Sequence, residues 1–111
     1  MASWIQLHEE DMEGAFQEIG FVQVGRDAFA EEHRIRFRDR DSNGHRGALS
    51  YAVIELPSGR QFFLQHEPSL AESGVWLYAK AGGDARRQCD EFAFAFGIDP
   101  AQILPFSGDQ R

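Results

Sequence analysis

With 111 residues, ten Phe and 42% hydrophobic residues, the chain has the size of one domain and is too apolar to remain unfolded. A net charge of −7 argues against nucleic acid as a partner, and a lone cysteine, Cys89, excludes an internal disulfide framework. The opening stretch, Met1 to Glu10, has neither a basic leader nor a long apolar run, so no signal peptide or transmembrane span is expected and a cytoplasmic home follows.

The spacing from Glu9 to Ile19 predicts a helix. Glu9, Glu10 and Asp11 crowd its first turn, where the helix dipole favours acids, and Met12, Ala15, Phe16 and Ile19 fall on one face. Gly20 supplies the stop. Phe21 to Val24 reads as a short strand. His33 to Arg40 reads as an alternating one, with Ile35 and Phe37 opposite Arg34, Arg36, Arg38 and Arg40. Asp41-Ser42-Asn43-Gly44 is turn chemistry. Ala48 to Leu56 is apolar on both faces, as a central strand is. Pro57-Ser58-Gly59 turns the chain into Gln61 to His66, and a looser connection runs from Glu67 to Gly74. Val75 to Ala81 is the fifth strand, with Trp76 and Tyr78 opposite Val75, Leu77 and Ala79.

Gly82-Gly83-Asp84 ends that strand and caps a helix running to Phe96. Its apolar stripe is Ala85, Cys89, Phe92, Ala93 and Phe96, and Gly97 stops it. Asp99-Pro100 opens a further short turn, which Pro105 ends. The expected fold is α+β in one domain: an amino-terminal helix, an antiparallel five-stranded meander, and a carboxy-terminal helix packed on the sheet. A sheet apolar on both faces needs cover on both. Trp76, Tyr78 and Phe63 are the candidates for the less covered side.

Several motifs invite a chemical reading. Asp39 to Gly44 matches the opening of a calcium loop, but the position that needs a bidentate Glu is Ser50, and Arg46 adds a cation beside it. A hairpin turn is the simpler account. The row Arg34, Arg36, Arg38 and Arg40 forms a possible ionic ladder. Its aromatic neighbours lie on the opposite face, so a charged strand edge explains it better than a nucleic-acid surface does. Gly82-Gly83 lacks the further glycines and the Lys-Ser/Thr pair of a phosphate loop. His8, His33, His45 and His66 show no metal-ligand spacing. His66-Glu67 could act as an acid–base pair, with Ser50 or Ser73 as nucleophile, but no motif joins them. Cys89 sits on an apolar stripe, which predicts an inert thiol. No metal, cofactor or catalytic residue is assigned.

The charge is unevenly placed. Met1 to Glu32 holds eight acids and one base, while the remainder holds ten of each, so the whole excess lies in the first third. Such a field repels nucleic acid and anionic membranes and draws in cationic partners. In size, acidity, lone cysteine and helix-plus-meander layout, the chain is similar to the bacterial immunity proteins that protect a cell from a neighbour's toxin. The resemblance implies a basic toxin domain as partner and no enzymatic activity. Glu9, Glu10, Asp11, Glu13, Glu18, Glu31 and Glu32, with Trp76 and Tyr78, are the candidate partner-binding residues on a monomer or homodimer. A dimeric secretion-type effector chaperone is the alternative. The helix that usually interrupts its strands would have to lie in Glu67 to Gly74, which contains Pro68 and Gly74. A small enzyme without a recognisable motif is the third reading.

Overall fold

The computed structural model describes residues 4–8, 14–40, 49–66 and 74–105. Its centre forms where apolar alternation and turn chemistry agree. β4 (Leu49–Glu55), β5 (Gln61–His66) and β6 (Val75–Lys80) are consecutive antiparallel strands. The β4–β5 turn closes through Leu56 N–H to Arg60 O at 3.0 Å and Gly59 N–H to Leu56 O at 2.8 Å. Gly59 sits there at φ +90°, a conformation that costs a residue without Cβ little.

Three further strands extend the sheet without following chain order. β1 (Ile5–Leu7) pairs with β4, β2 (Phe16–Val22) lies beside β6, and β7 (Ile103–Pro105) lies beside β2. The path is β1-β4-β5-β6-β2-β7, antiparallel throughout, and a three-residue β3 (Arg38–Arg40) pairs with the start of β4 next to β1. Gln6 spans the gap between β1 and β3. Its amide donates to Arg36 O at 2.6 Å and accepts from Arg36 N–H at 2.9 Å. The expected α+β class and antiparallel sheet are observed. The five-stranded meander is replaced by a larger sheet whose outer strands arrive by long connections.

The expected helix over Glu9–Ile19 is overturned for its second half, because Phe16–Val22 is strand; residues 9–13 lie outside the described residues. The cause is a β-bulge. The β2–β6 register shifts between Glu18 and Gly20, which inserts Ile19 and breaks the period of two. Ile19 is fully buried and Gly20 follows it into the same side. Gly20 is required there, since a Cβ would fall 2.9 Å from Leu104 O and 3.3 Å from Cys89 Sγ.

The expected strand over His33–Arg40 is also corrected. Arg26–His33 is a helix, α1, and Arg34 ends it in the left-handed region at φ 58°, ψ 42°. Ile35 N–H then bonds back to Ala30 O at 3.0 Å. The four arginines therefore do not share one strand. Arg34 caps a helix, Arg36 bonds to Gln6 through its backbone, and Arg38 and Arg40 alone lie in strand. The weak amphipathic signal of α1 explains why it is hard to see, because Phe29 is its one buried residue.

α2 (Ala85–Phe96) forms as its caps dictate. Asp84 Oδ1 accepts from Arg86 N–H at 3.0 Å and Arg87 N–H at 3.4 Å, and Gly97 closes the helix at φ 65°. Asp99 Oδ1 accepts from Ala101 N–H at 3.0 Å over the short 3-10 turn Pro100–Gln102. Both helices lie on the same sheet face. Phe29 stacks on Phe92 at 6.1 Å and meets Phe96 at 5.4 Å, while Phe92 stands edge-on to Phe62 of β5 at 5.3 Å. Ile19, Ile54, Leu64 and Leu77 complete that core.

Two expectations follow from α1 and its end. Relieving the left-handed Arg34 by Arg34→Gly should raise stability by about 1 kcal/mol in urea unfolding. His33 lies between Phe29 (4.7 Å) and Phe96 (5.0 Å), and burial lowers its pKa from 6.5, with the charge of Glu32 partly offsetting this. The unfolded chain therefore takes up this proton first as pH falls. The stability that the neutral ring contributes is complete above 6.5 and declines as pH drops below that value. Urea unfolding followed across that range should show a shallower loss in His33→Phe than in the native protein.

Candidate functional site

Because successive strand residues point to opposite sides, the register defines what stands on the second face, on which no described helix lies. Three rows cross it. The middle row runs Leu7, Val53, Phe63, Tyr78, Glu18. The row towards β3 runs Arg38, Tyr51, Gln65, Trp76, Phe21, Leu104. The row at the β4–β5 turn carries Ile5, Glu55, Gln61, Lys80 and Phe16.

Aromatic contacts bind the first two rows together. Tyr51 stacks on Phe63 at 5.7 Å, and Phe63 meets Tyr78 edge-on at 5.6 Å. Phe21 packs against Trp76 at 4.7 Å. Gly74 makes room for that pair, since a Cβ there would fall 2.2 Å from Phe21 Cζ. Val53 and Phe63 are buried at the centre, whereas Tyr51, Trp76, Tyr78 and Phe21 are half-buried around them. Among these, Arg38 Nε is buried without a hydrogen-bond partner.

The structure places the candidate partner-binding residues in two groups. Glu18 stands directly opposite Tyr78 in the register, with Trp76 two residues along the same strand. Glu31 and Glu32 are exposed on α1, on the other side of the sheet. Asp27 is engaged locally by Arg26, whose guanidinium reaches its carboxylate at 2.7 Å. Glu9, Glu10, Asp11 and Glu13 lie outside the described residues, as do Glu67, Ser73 and the turn expected over Asp41–Gly44.

The fold brings together two residues that no sequence motif joins. The register sets Ser50 opposite His66 on the helix-bearing side, and Arg26 donates to Ser50 Oγ at 3.1 Å. His66 Nδ1 lies 3.1 Å from Gly74 O. Ser50 is only 1% exposed, so no substrate reaches its hydroxyl in this conformation. The Arg26–Ser50 hydrogen bond instead ties the first turn of α1 to β4. Among the described residues no group of three His, Cys, Asp or Glu side chains could hold a metal, and no helix is long and apolar enough to cross a membrane.

Cys89 is buried against β2, where its thiol donates to Ile19 O at 3.3 Å. Burial, with Asp90 adding to it, pushes the thiol up to about 11. The thiolate is the reactive form, so alkylation of the native protein at neutral pH should be far slower than alkylation in denaturant; equal rates would contradict this burial.

No known protein family, curated protein or solved structure matches the chain.

Proposed function

We propose that the chain is an immunity-type binding protein that neutralises a basic toxin domain by direct contact through the second sheet face. The observation that supports this reading is the meeting of Trp76, Tyr78, Phe21 and Glu18 on that face. Tyr and Trp are the residues that anchor protein interfaces, because they bring large contact area at low cost in side-chain entropy. A carboxylate bordering such rings favours a partner that presents Lys or Arg there.

The remaining acids act at longer range. The first 32 residues carry the entire net charge, so they set the sign of the field that an approaching basic domain meets. Glu31 and Glu32, on the far side of the sheet from Trp76, contribute to that field without touching a partner docked on the second face. A chaperone would instead present itself as a dimer wrapped by an extended segment.

Affinity capture from the native cell supplies the partner for the test, expected to be a folded basic domain held one-to-one. Replacing Glu9, Glu10, Asp11 and Glu13 by neutral residues should slow association at least about tenfold at low salt. Trp76→Ala should speed dissociation by at least about tenfold while leaving that association rate nearly unchanged. Full affinity in Trp76→Ala, with its fold intact, would remove the second face as the contact surface. A disordered segment captured by a dimer would support the chaperone in its place.

A further inference from the structure

The row nearest the β4–β5 turn is chemically unlike the aromatic rows beside it. It lines an open cleft of about 310 Å³ formed by Phe16, Glu55, Ser58, Arg60, Gln61 and Lys80, at the lower end of the size range of small-molecule sites. Two of these groups are already engaged with α2. Arg60 pairs with Glu91, and Ser58 Oγ donates to the same carboxylate at 2.9 Å. The Arg60 charge is thus offset by Glu91, and the Ser58 hydroxyl proton is committed to the same carboxylate.

The lining charges that no described counter-ion offsets are one carboxylate, Glu55, and one ammonium, Lys80. Neither Glu55 nor Lys80 forms an ion pair with a described residue. Glu55 pairs with Gln61 across β4 and β5, and Lys80 pairs with Phe16 across β6 and β2. Glu55 and Lys80 thus stand two strand spacings apart, about 10 Å at the backbone, on one face. The Lys80 stem passes beside Gly14, where an added Cβ would lie 3.4 Å from Lys80 Cε. With Arg60 offset by Glu91, the cleft is dipolar, with an anion on one side, a cation on the other and an aromatic ring beside the cation.

A single ion leaves half of this arrangement unused. A short zwitterion with adjacent charges cannot span it. The geometry points to a ligand of the ω-amino carboxylate class: a cationic head on Glu55, a carboxylate on Lys80, and a methylene stem against the wall that Phe16 supplies. A free ω-amino acid carries this chemistry, and so does the carboxy-terminal Lys of a polypeptide, whose α-nitrogen is an uncharged amide. The site is distinct from the Trp76–Tyr78 surface and does not depend on toxin neutralisation.

Backbone-amide NMR titration of the whole chain tests the assignment. The probes are ε-aminocaproate, hexylamine, caproate, and the tripeptide Gly-Gly-Lys with a free or an amidated carboxy terminus. Saturable shifts centred on Gln61, Lys80 and Phe16 are expected with ε-aminocaproate or with the free-carboxylate peptide. Binding by the peptide alone identifies the polypeptide terminus as the source. Hexylamine, caproate and the amidated peptide should bind at least about fivefold more weakly, as should the best probe to Glu55→Gln and to Lys80→Met. Spectra of those variants unchanged away from the cleft show that the fold is kept. The assignment is overturned if neither dipolar probe gives saturable shifts, or if the singly charged analogues bind as well as the dipolar ones.

Discussion

The packing of Phe92 governs how this protein is organised. Its ring meets Phe62 of the sheet, Phe29 of α1 and Phe96 of its own helix, at centroid distances from 4.7 to 6.1 Å. Burying such a ring is worth about 2–3 kcal/mol, and each well-oriented aromatic pair adds about 1 kcal/mol. The joint contact holds both helices on one side of the sheet. Trp4, from the segment leading into β1, packs on Phe96 at 5.5 Å and extends the same cluster. With both described helices committed there, the described residues of the other face are rows of the sheet's own side chains.

β2 is the element that gives those rows their composition. It lies between β6 and β7, at the far side of the sheet from β1, and it adds Phe16, Glu18 and Phe21 to the second face. Its bulge lets Ile19 enter the helix-side core without displacing Phe21 from Trp76. Two glycines make this possible. Gly20 admits the backbone of β7 and the thiol of Cys89, and Gly74 admits the Phe21 ring. The same strand therefore serves the core on one side and two separate surfaces on the other, an aromatic one around Trp76 and a dipolar one around Lys80.

How much of this the sequence reveals depends on whether the information is local. α2 is legible because a capping Asp84, a stripe through Phe92 and Phe96, and a terminal Gly97 all agree. β4, β5 and β6 are legible because alternation and the Pro57-Ser58-Gly59 turn agree as well. The placement of Trp76, Tyr78 and Phe63 on the face away from the helices follows from alternation alone. β2 is misread because an inserted residue mimics helical spacing at Phe16 and Ile19. α1 is missed because a helix with one buried residue leaves almost no periodic signal. The pairing of Glu18 with Tyr78, and the row from Glu55 to Phe16, are invisible in sequence for a different reason. They exist only once β2 has chosen β6 as its neighbour, which is a long-range pairing that local pattern does not encode.

The most direct test of this two-sided arrangement is the pattern of inter-ring nuclear Overhauser contacts. Phe29 should show contacts to Phe92 and Phe96, Phe92 should show contacts to Phe62, and Phe21 should contact Trp76 alone among these rings. Contacts from Phe29 or Phe92 to Trp76 or Tyr78 would place a helix on the second face and contradict the account.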